Sequence, residues 1–147
     1  MKKTMLALLM LITISVSNVF AGEENVSPNV LKSFKTEFTS AREVNWTVTE
    51  NYYKAEFVWD GIYVTAFYST EGEMLGLTRY ISTTQLPMNL MNSVKKNFSD
   101  YWVSDLFELS NAGGSSYFIT LQNADYVIVL KSANGENWSV YDKTKKA

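Results

Sequence analysis

The chain contains two copies of one helical pattern, PNVLKSFKTEF at 28–38 and PMNLMNSVKKNF at 87–98. In each copy apolar residues recur at positions i, i+1, i+4 and i+8, which places them on one face of a helix. Proline opens both copies, and proline is favoured at the first position of a helix. The pattern therefore predicts two amphipathic helices of about three turns. The apolar residues are Val30, Leu31, Phe34 and Phe38 in the first copy and Leu90, Met91, Val94 and Phe98 in the second.

Alternating β-rich segments follow each predicted helix. We predict strands at 43–49, 52–59, 62–69 and 73–81 after the first helix, and at 102–109, 116–122, 125–132 and 136–142 after the second. Turn residues separate them, including Asp60-Gly61, Asn134-Gly135 and the stretch from Asn111 to Ser115. The predicted fold class is α+β, a tandem repeat of helix plus antiparallel strands in one extended sheet with the helices on one face. Repeat unit one spans about 27–82 and repeat unit two about 86–142.

Asp60-Gly61 allows a prediction of strand register, because a two-residue loop pairs its flanking residues directly. One face of the hairpin then carries the pairs Trp59/Ile62, Phe57/Val64, Ala55/Ala66 and Tyr53/Tyr68. This face is continuously apolar, so we assign it to the helix side. The other face mixes aromatic, aliphatic and charged residues. The register of repeat unit two stays open, since its segment from Tyr126 to Leu130 is apolar on both faces.

The mixed face of the hairpin is the candidate partner-binding surface. Its apolar members are Tyr52, Val58, Tyr63 and Phe67. Exposed aromatic residues often carry the binding energy of an interface. The same residues also suit the solvated side of an ordinary sheet, where they pair across strands. At the hairpin tip, Trp59 and Asp60 could form an inserting finger, but we favour a turn chosen for its geometry, with Trp59 packed at the edge of the core.

Composition excludes several kinds of chemistry. The chain has 147 residues, a net charge of −2 and neither His nor Cys. It therefore lacks imidazole and thiolate for a catalytic triad or a metal site, and it cannot form disulfides. The mild acidity argues against binding nucleic acid. The loops Ser69–Glu73 and Ser132–Glu136 have oxygen ligands but are interpreted as hairpin turns, so we expect no metal site. No motif singles out a pair of carboxylates or another catalytic group. We therefore expect no cofactor, no catalytic residue and no enzymatic activity.

The first residues predict export. Lys2 and Lys3 precede an apolar run from Met5 to Val16, and Val19-Phe20-Ala21 provides small residues before a cleavage site. This arrangement is typical of a secretory signal peptide, residues 1–21, cleaved after Ala21. The apolar run is shorter than the roughly 20 residues that span a bilayer, so we expect no stable membrane anchor. The mature domain is predicted to be 22–147 and to be periplasmic or secreted.

The order of these motifs resembles the PepSY-like family of exported bacterial proteins. The matching residues of the first repeat are Pro28, Val30, Leu31, Phe34, Phe38, Ala41, Val44, Trp46, Tyr53, Ala55, Phe57 and Gly72. The second repeat matches more weakly, through Pro87, Phe98, Tyr117, Ile119, Leu121 and Gly135. Members of this family are described as similar to the β-lactamase inhibitor protein, which grips its enzyme with an open, aromatic-rich sheet face and an Asp-bearing hairpin tip.

The resemblance implies a binding module that inhibits or assists an exported enzyme through its open sheet face, with an exported protein as partner. Self-association through the same face is left open. A carrier of a small apolar ligand or peptide is the alternative function. A carrier requires a pocket of about 300 Å³ or more, which we would expect among Phe34, Phe38, Phe57 and their counterparts in repeat unit two.

Overall fold

The computed structural model describes residues 20–147. Two α-helices lie in this range, α1 (Pro28–Glu37) and α2 (Met88–Asn97), and each follows a short 3-10 helix, Glu23–Asn25 or Thr83–Gln85. The strands are β1 (Phe20–Ala21), β2 (Arg42–Val48), β3 (Tyr53–Trp59), β4 (Ile62–Tyr68), β5 (Met74–Tyr80), β6 (Trp102–Asn111), β7 (Gly114–Gln122), β8 (Tyr126–Ser132) and β9 (Ser139–Lys145).

The strands form one antiparallel sheet in which they follow the order of the chain, so the predicted α+β fold class is confirmed. Strand β1 consists of the last two residues of the predicted signal peptide, and the rest of that prediction lies outside the described residues. Cleavage after Ala21 would leave the eight strands β2 to β9. Residue contacts divide the chain into an N-terminal unit up to Leu77 and a C-terminal unit from Thr78 to Ala147.

The N-terminal unit has the predicted hairpin register. Strands β3 and β4 pair Trp59 with Ile62, and the register continues without interruption to the pair of Tyr53 and Tyr68. The predicted helix-side face packs against the apolar stripe of α1, except for Ile62 beside the tip, which is exposed. Its buried core residues are Val26, Val30, Phe34, Phe38, Trp46, Ala55, Phe57, Val64, Ala66 and Tyr68.

The C-terminal unit repeats this arrangement with smaller side chains. Helix α2 packs Leu90 into a core of aliphatic residues from β6, β7 and β8. The strand pairs that reach this core are Leu106 with Ile119, Ile119 with Leu130, and Leu121 with Ile128. The remaining stripe residues of α2, namely Met91, Val94 and Phe98, are only partly buried.

The two helices begin differently at their prolines. In α1, Pro28 is the first helical residue and the Ser27 hydroxyl accepts a hydrogen bond of 3.4 Å from the Val30 amide. In α2, Pro87 is the cap residue and the helix begins at Met88. The prediction that Pro87 occupies the first helical position is therefore wrong by one residue. The extended backbone of Pro87 (ψ 138°) excludes it from the helix.

The strand after each helix carries a β-bulge at the same place. The irregularity lies between Arg42 and Asn45 in β2 and between Val103 and Asp105 in β6. Glu43 has a positive φ of 55° at the first of these. A bulge adds a residue to one strand and increases its twist. Its recurrence supports the view that the two units are copies of one plan.

The predicted boundaries of β6, β7 and β9 in the C-terminal unit are wrong by two or three residues. The stretch from Asn111 to Ser115 is not a loop, because Asn111 pairs with Gly114 across a tight two-residue turn. The last strand begins at Ser139 rather than at 136. The preceding segment is held to α2 instead, because the Asn89 amide donates hydrogen bonds to the carbonyls of Gly135 and Glu136, and the Trp138 indole donates one to the carbonyl of Leu90.

Candidate binding surface

The outer face of the N-terminal unit is the side of β3 and β4 that points away from α1. Strand alternation places three cross-strand pairs on it, Val58 with Tyr63, Glu56 with Thr65, and Lys54 with Phe67. Tyr52 precedes β3 and contacts the Phe67 ring, with 6.1 Å between centroids. All four predicted surface residues therefore lie on this one face. On the same face, Lys54 and Glu56 form an ion pair of 3.5 Å.

Tyr63 is the exposed member of this face. Its side chain is 70% exposed, while its partner Val58 is half-buried. An aromatic ring held at this exposure by a regular hairpin offers apolar area with a hydroxyl at its end, a combination that interfaces favour. Ile62, the next residue toward the tip, is also exposed but lies on the helix side of the hairpin. Tyr63 is thus the residue of this face that a partner would bury most.

Tyr52 and Phe67 are much less accessible than Tyr63. Phe67 is 3% exposed and Tyr52 is 9% exposed. Burial raises the pKa of the Tyr52 phenol above its ordinary value. Because these rings are already covered within the protein, they support the surface from beneath and add little area to an interface. Their burial could not be predicted from the sequence, since strand alternation indicates on which side of the sheet a residue lies but not how much of it is covered.

The hairpin tip separates its two candidate residues. Asp60 and Gly61 form the turn, with positive φ values of 49° and 79°, and both are exposed. Trp59 instead points to the helix side and packs edge-on against Phe38, with 5.2 Å between centroids. The structure therefore places Trp59 at the edge of the core and leaves Asp60 alone at the tip.

The outer face of the C-terminal unit carries its own aromatic group, consisting of Phe107, Phe118 and Tyr141. Phe107 and Phe118 stack with 5.0 Å between centroids, and Tyr141 meets Phe118 edge-on at 6.1 Å. The Lys131 ammonium lies 5.6 Å from the Phe118 ring. Phe118 is 4% exposed whereas Tyr141 is 40% exposed, so Tyr141 is an accessible ring that covers a buried one.

Trp102 is an exposed aromatic residue that the sequence analysis did not select. It lies on the outer face of the C-terminal unit, because the adjacent Val103 pairs with the core residue Leu121. Its ring is 53% exposed, with the Lys146 ammonium 4.8 Å from the centroid. Strict alternation would place Trp102 on the same face as the buried Leu106. The bulge between them reverses this, so the exposure of Trp102 could not be predicted from alternation alone.

Burial changes the pKa of two titratable groups in the C-terminal unit, Asp105 and Tyr117. Within residues 20–147 no group of three or more carboxylates could hold a metal ion. Burial raises the pKa of the Asp105 carboxyl, which a hydrogen bond at Leu106 partly offsets. Desolvation, with the negative charge of Glu108, raises the pKa of the Tyr117 phenol. None of the helices in this range is long and apolar enough to cross a bilayer.

A groove of about 380 Å³ opens in the C-terminal unit between α2, the preceding 3-10 helix and the start of β6. The corresponding region of the N-terminal unit is filled by packed rings: Phe34 and Phe38 both contact Phe57, with centroid distances of 4.9 and 4.8 Å. The groove thus involves only two of the predicted pocket positions, Val94 and Phe98, the counterparts of Phe34 and Phe38. It is lined by Thr83, Leu86, Met91, Val94, Lys95, Phe98, Ser99, Tyr101 and Val103.

The fold defines a class of doubled helix-and-sheet proteins, and solved structures of this class exist. The chain is similar to a BLIP-like protein from Bacteroides fragilis, with 16% identity, a TM-score of 0.67 and coverage of 81% of this chain and 85% of that one. A candidate periplasmic protein from Bacteroides eggerthii has 17% identity and a TM-score of 0.70, with 82% and 88% covered.

A third similar structure is a DUF2874 family protein from Bacteroides uniformis, with 14% identity, a TM-score of 0.70 and coverage of 81% and 88%. At these identities the likeness establishes the fold. No protein-family model matches the chain, and no curated protein matches it either. The resemblance to the PepSY-like family therefore remains a prediction.

Proposed function

We propose that this protein is an exported, non-enzymatic module that binds a protein partner through the outer face of its N-terminal unit. The exposure of Tyr63 is the observation that carries the proposal, because a ring 70% exposed on a regular hairpin is available for burial. Val58 lies across the strand pair from Tyr63, and Asp60 lies at the adjacent tip. Tyr52 and Phe67 form the buried support of this surface.

Export is part of the same proposal. The predicted signal peptide, residues 1–21 with cleavage after Ala21, directs the chain to the periplasm or the exterior. The likeness to a candidate periplasmic protein supports this location. The mature domain, 22–147, holds both repeat units of the PepSY-like pattern. Its partner is accordingly an exported protein rather than a nucleic acid or a membrane.

The proposed action is steric inhibition or assistance of an exported enzyme. The likeness to a BLIP-like protein and the PepSY-like resemblance both favour an enzyme as partner. A specific complex needs about 800 Å² from each side. Tyr63 supplies the central apolar contact, and Lys54 and Glu56 supply a polar border of both charges. No bond is made or broken by this chain.

The experiment compares the wild-type chain with Tyr63→Ala and with Met88→Ala, a matched control that removes an equally exposed apolar side chain from α2. Each is used to capture partners from an exported-protein fraction, and the affinity for a captured partner is then measured by calorimetry. We expect Tyr63→Ala to weaken binding by about tenfold or more and Met88→Ala to leave it unchanged. Equal affinity of all three chains would overturn the proposal.

A direct enzyme assay tests the finer part of the proposal. The captured partner, and a β-lactamase as a reference enzyme, are assayed with increasing amounts of wild-type or Tyr63→Ala chain. Inhibition or activation of the captured partner that disappears in Tyr63→Ala is the expected result. Binding without any change of activity would overturn the enzyme-directed action while leaving the protein-binding role in place.

Carriage of a small apolar ligand is the second candidate function, and one specific observation favours it. The groove of the C-terminal unit has about 380 Å³, which lies within the range of about 300–1,000 Å³ typical of small-molecule sites. It lies on the helix side, so occupation of the groove and docking at Tyr63 involve different residues. A mutation in the groove therefore tests ligand carriage without altering the surface around Tyr63, and a mutation of Tyr63 leaves the groove unchanged.

A further inference from the structure

The groove of the C-terminal unit arises from substitutions at equivalent positions of the two repeats. Val94 takes the place of Phe34, and it is only partly buried whereas Phe34 is 4% exposed. In the N-terminal unit Trp59 covers Phe38. Tyr53 and Tyr117 are equivalent in the two repeats, so Leu121 occupies the position of Phe57 and Asn123 that of Trp59. The rings of Phe34 and Trp59 thus have no aromatic counterpart in the C-terminal unit, and Val94, in place of Phe34, lines the groove.

The walls of the groove are mainly apolar. Met91 and Val94 come from α2, Phe98 directly follows that helix, and Val103 lies in β6. Tyr101 meets Phe98 edge-on, with 5.6 Å between centroids, and closes one wall. Such a concave apolar surface favours an alkyl chain over a polar solute, because the chain leaves water on entry.

One charged residue, Lys95, lines the groove. Within the described residues, its counterpart in the N-terminal unit, Lys35, forms an ion pair that Lys95 lacks. Lys35 of α1 lies 3.4 Å from the carboxylate of Glu23, in the 3-10 helix that precedes α1. Lys95 is the equivalent residue of α2, but Thr83 occupies the position of Glu23. In the described part of the chain Lys95 forms no ion pair, and the residues that line the groove include no carboxylate.

We infer that this groove binds an anionic amphiphile, a single-chain carboxylate of the fatty-acid type, with its alkyl chain between α2 and β6 and its carboxylate at Lys95. The apolar walls select the chain, and the unpaired ammonium selects the acid over the corresponding alcohol. This inference rests on the second candidate function and is independent of docking at Tyr63.

The test uses decanoate below its critical micelle concentration and decanol below its solubility limit as probes, with binding to the chain measured by calorimetry. We expect decanoate to bind about five- to tenfold more tightly than decanol, the gain from one charge-assisted contact. Lys95→Gln should abolish this preference while retaining decanol. Lys96→Gln, which removes the neighbouring lysine outside the groove, should leave the preference unchanged.

A second variant tests the location of the site. Val94→Phe restores the residue of the N-terminal unit and fills the groove, so the chain should fold with unchanged circular dichroism and bind neither probe. Binding to folded Val94→Phe at wild-type affinity would overturn the inference. Equal affinity of the wild type for decanoate and decanol would overturn the anionic class but leave a carrier function, whereas no binding of either probe would overturn both.

Discussion

Trp59 packs edge-on against Phe38, with 5.2 Å between the ring centroids and an interplanar angle of 84°. This contact closes the core of the N-terminal unit over the end of α1, and its counterpart is missing in the C-terminal unit. Aromatic pairs in this geometry contribute about 1 kcal/mol beyond the apolar area they bury. The residue beside the hairpin tip therefore serves the core rather than a partner.

We predict that Trp59→Ala lowers the free energy of unfolding by about 2 kcal/mol, since it removes a partly buried ring and its contact with Phe38. Urea denaturation measures the change. Ile62→Ala, at the exposed cross-strand partner of Trp59, is the control and should cost less than half as much. An unchanged stability of Trp59→Ala would restore the interpretation of Trp59 as an inserting finger.

Sequence patterns predict those parts of this fold that contacts between neighbouring residues determine, such as the register of a tight hairpin. The β3–β4 register followed from Asp60-Gly61 because a two-residue turn leaves one pairing of its flanks. The register of β7 and β8 did not follow, because alternation is uninformative where both faces are apolar. There the Asn123 side chain accepts hydrogen bonds from the amides of Asp125 and Tyr126 and thereby forms the turn.

The candidate site was predictable only in part, for a related reason. Alternation placed Phe67 and Tyr63 on the same face, but their exposures of 3% and 70% depend on neighbours from distant sequence. The groove at Val94 likewise depends on how three separate segments meet. Comparison of the two repeats offered a usable signal, since a ring present in one copy and absent from the other marks an unfilled position.

Two glycines of the N-terminal unit allow conformational strain to be separated from steric crowding. Gly61 and Gly72 both have positive φ, 79° and 97°. A Cβ atom at Gly61 would meet nothing within 4 Å, whereas one at Gly72 would lie 3.2 Å from backbone atoms of Asn29 in α1. We predict that Gly61→Ala costs about 1 kcal/mol from backbone strain alone.

Gly72→Ala should cost more, about 2 kcal/mol or above, because α1 must shift in addition. Chemical denaturation of both variants provides the comparison. Equal losses of unfolding free energy in the two variants would mean that α1 can move away from residue 72 at little cost. The Ser33 hydroxyl, which donates a hydrogen bond to the Gly72 carbonyl over 2.9 Å, holds the same approach from the helix side.

Tyr68 is fully buried, and its hydroxyl has no hydrogen-bond partner among the described residues. An unsatisfied buried hydroxyl costs about 1–3 kcal/mol relative to one in water. We therefore predict that Tyr68→Phe raises the free energy of unfolding by about 1 kcal/mol at neutral pH. Tyr63→Phe, at the exposed ring, is the matched control and should change stability by a few tenths at most.

The same residue gives a prediction for alkaline pH. Desolvation, with the negative charge of Glu37, raises the pKa of the Tyr68 phenol far above its ordinary value. Above about pH 10 the unfolded chain loses this proton while the folded chain retains it, so stability falls as pH rises, by up to about 1.4 kcal/mol per pH unit. Tyr68→Phe should flatten this decline, and an identical slope in wild type and variant would contradict the assignment.

The hydrogen bond of 3.0 Å from the Trp138 indole to the Leu90 carbonyl ties the segment before β9 to α2. Trp138→Phe keeps most of the ring but removes the donor, so we predict a loss of about 1 kcal/mol. The loss should be accompanied by faster hydrogen exchange of the amides that pair β8 with β9. Trp102→Phe makes the same change at an exposed ring without this bond, and should alter neither quantity measurably. If Trp138→Phe left exchange in β9 unchanged, the start of this strand at Ser139 would have to be attributed to the Asn89 contacts with Gly135 and Glu136 alone.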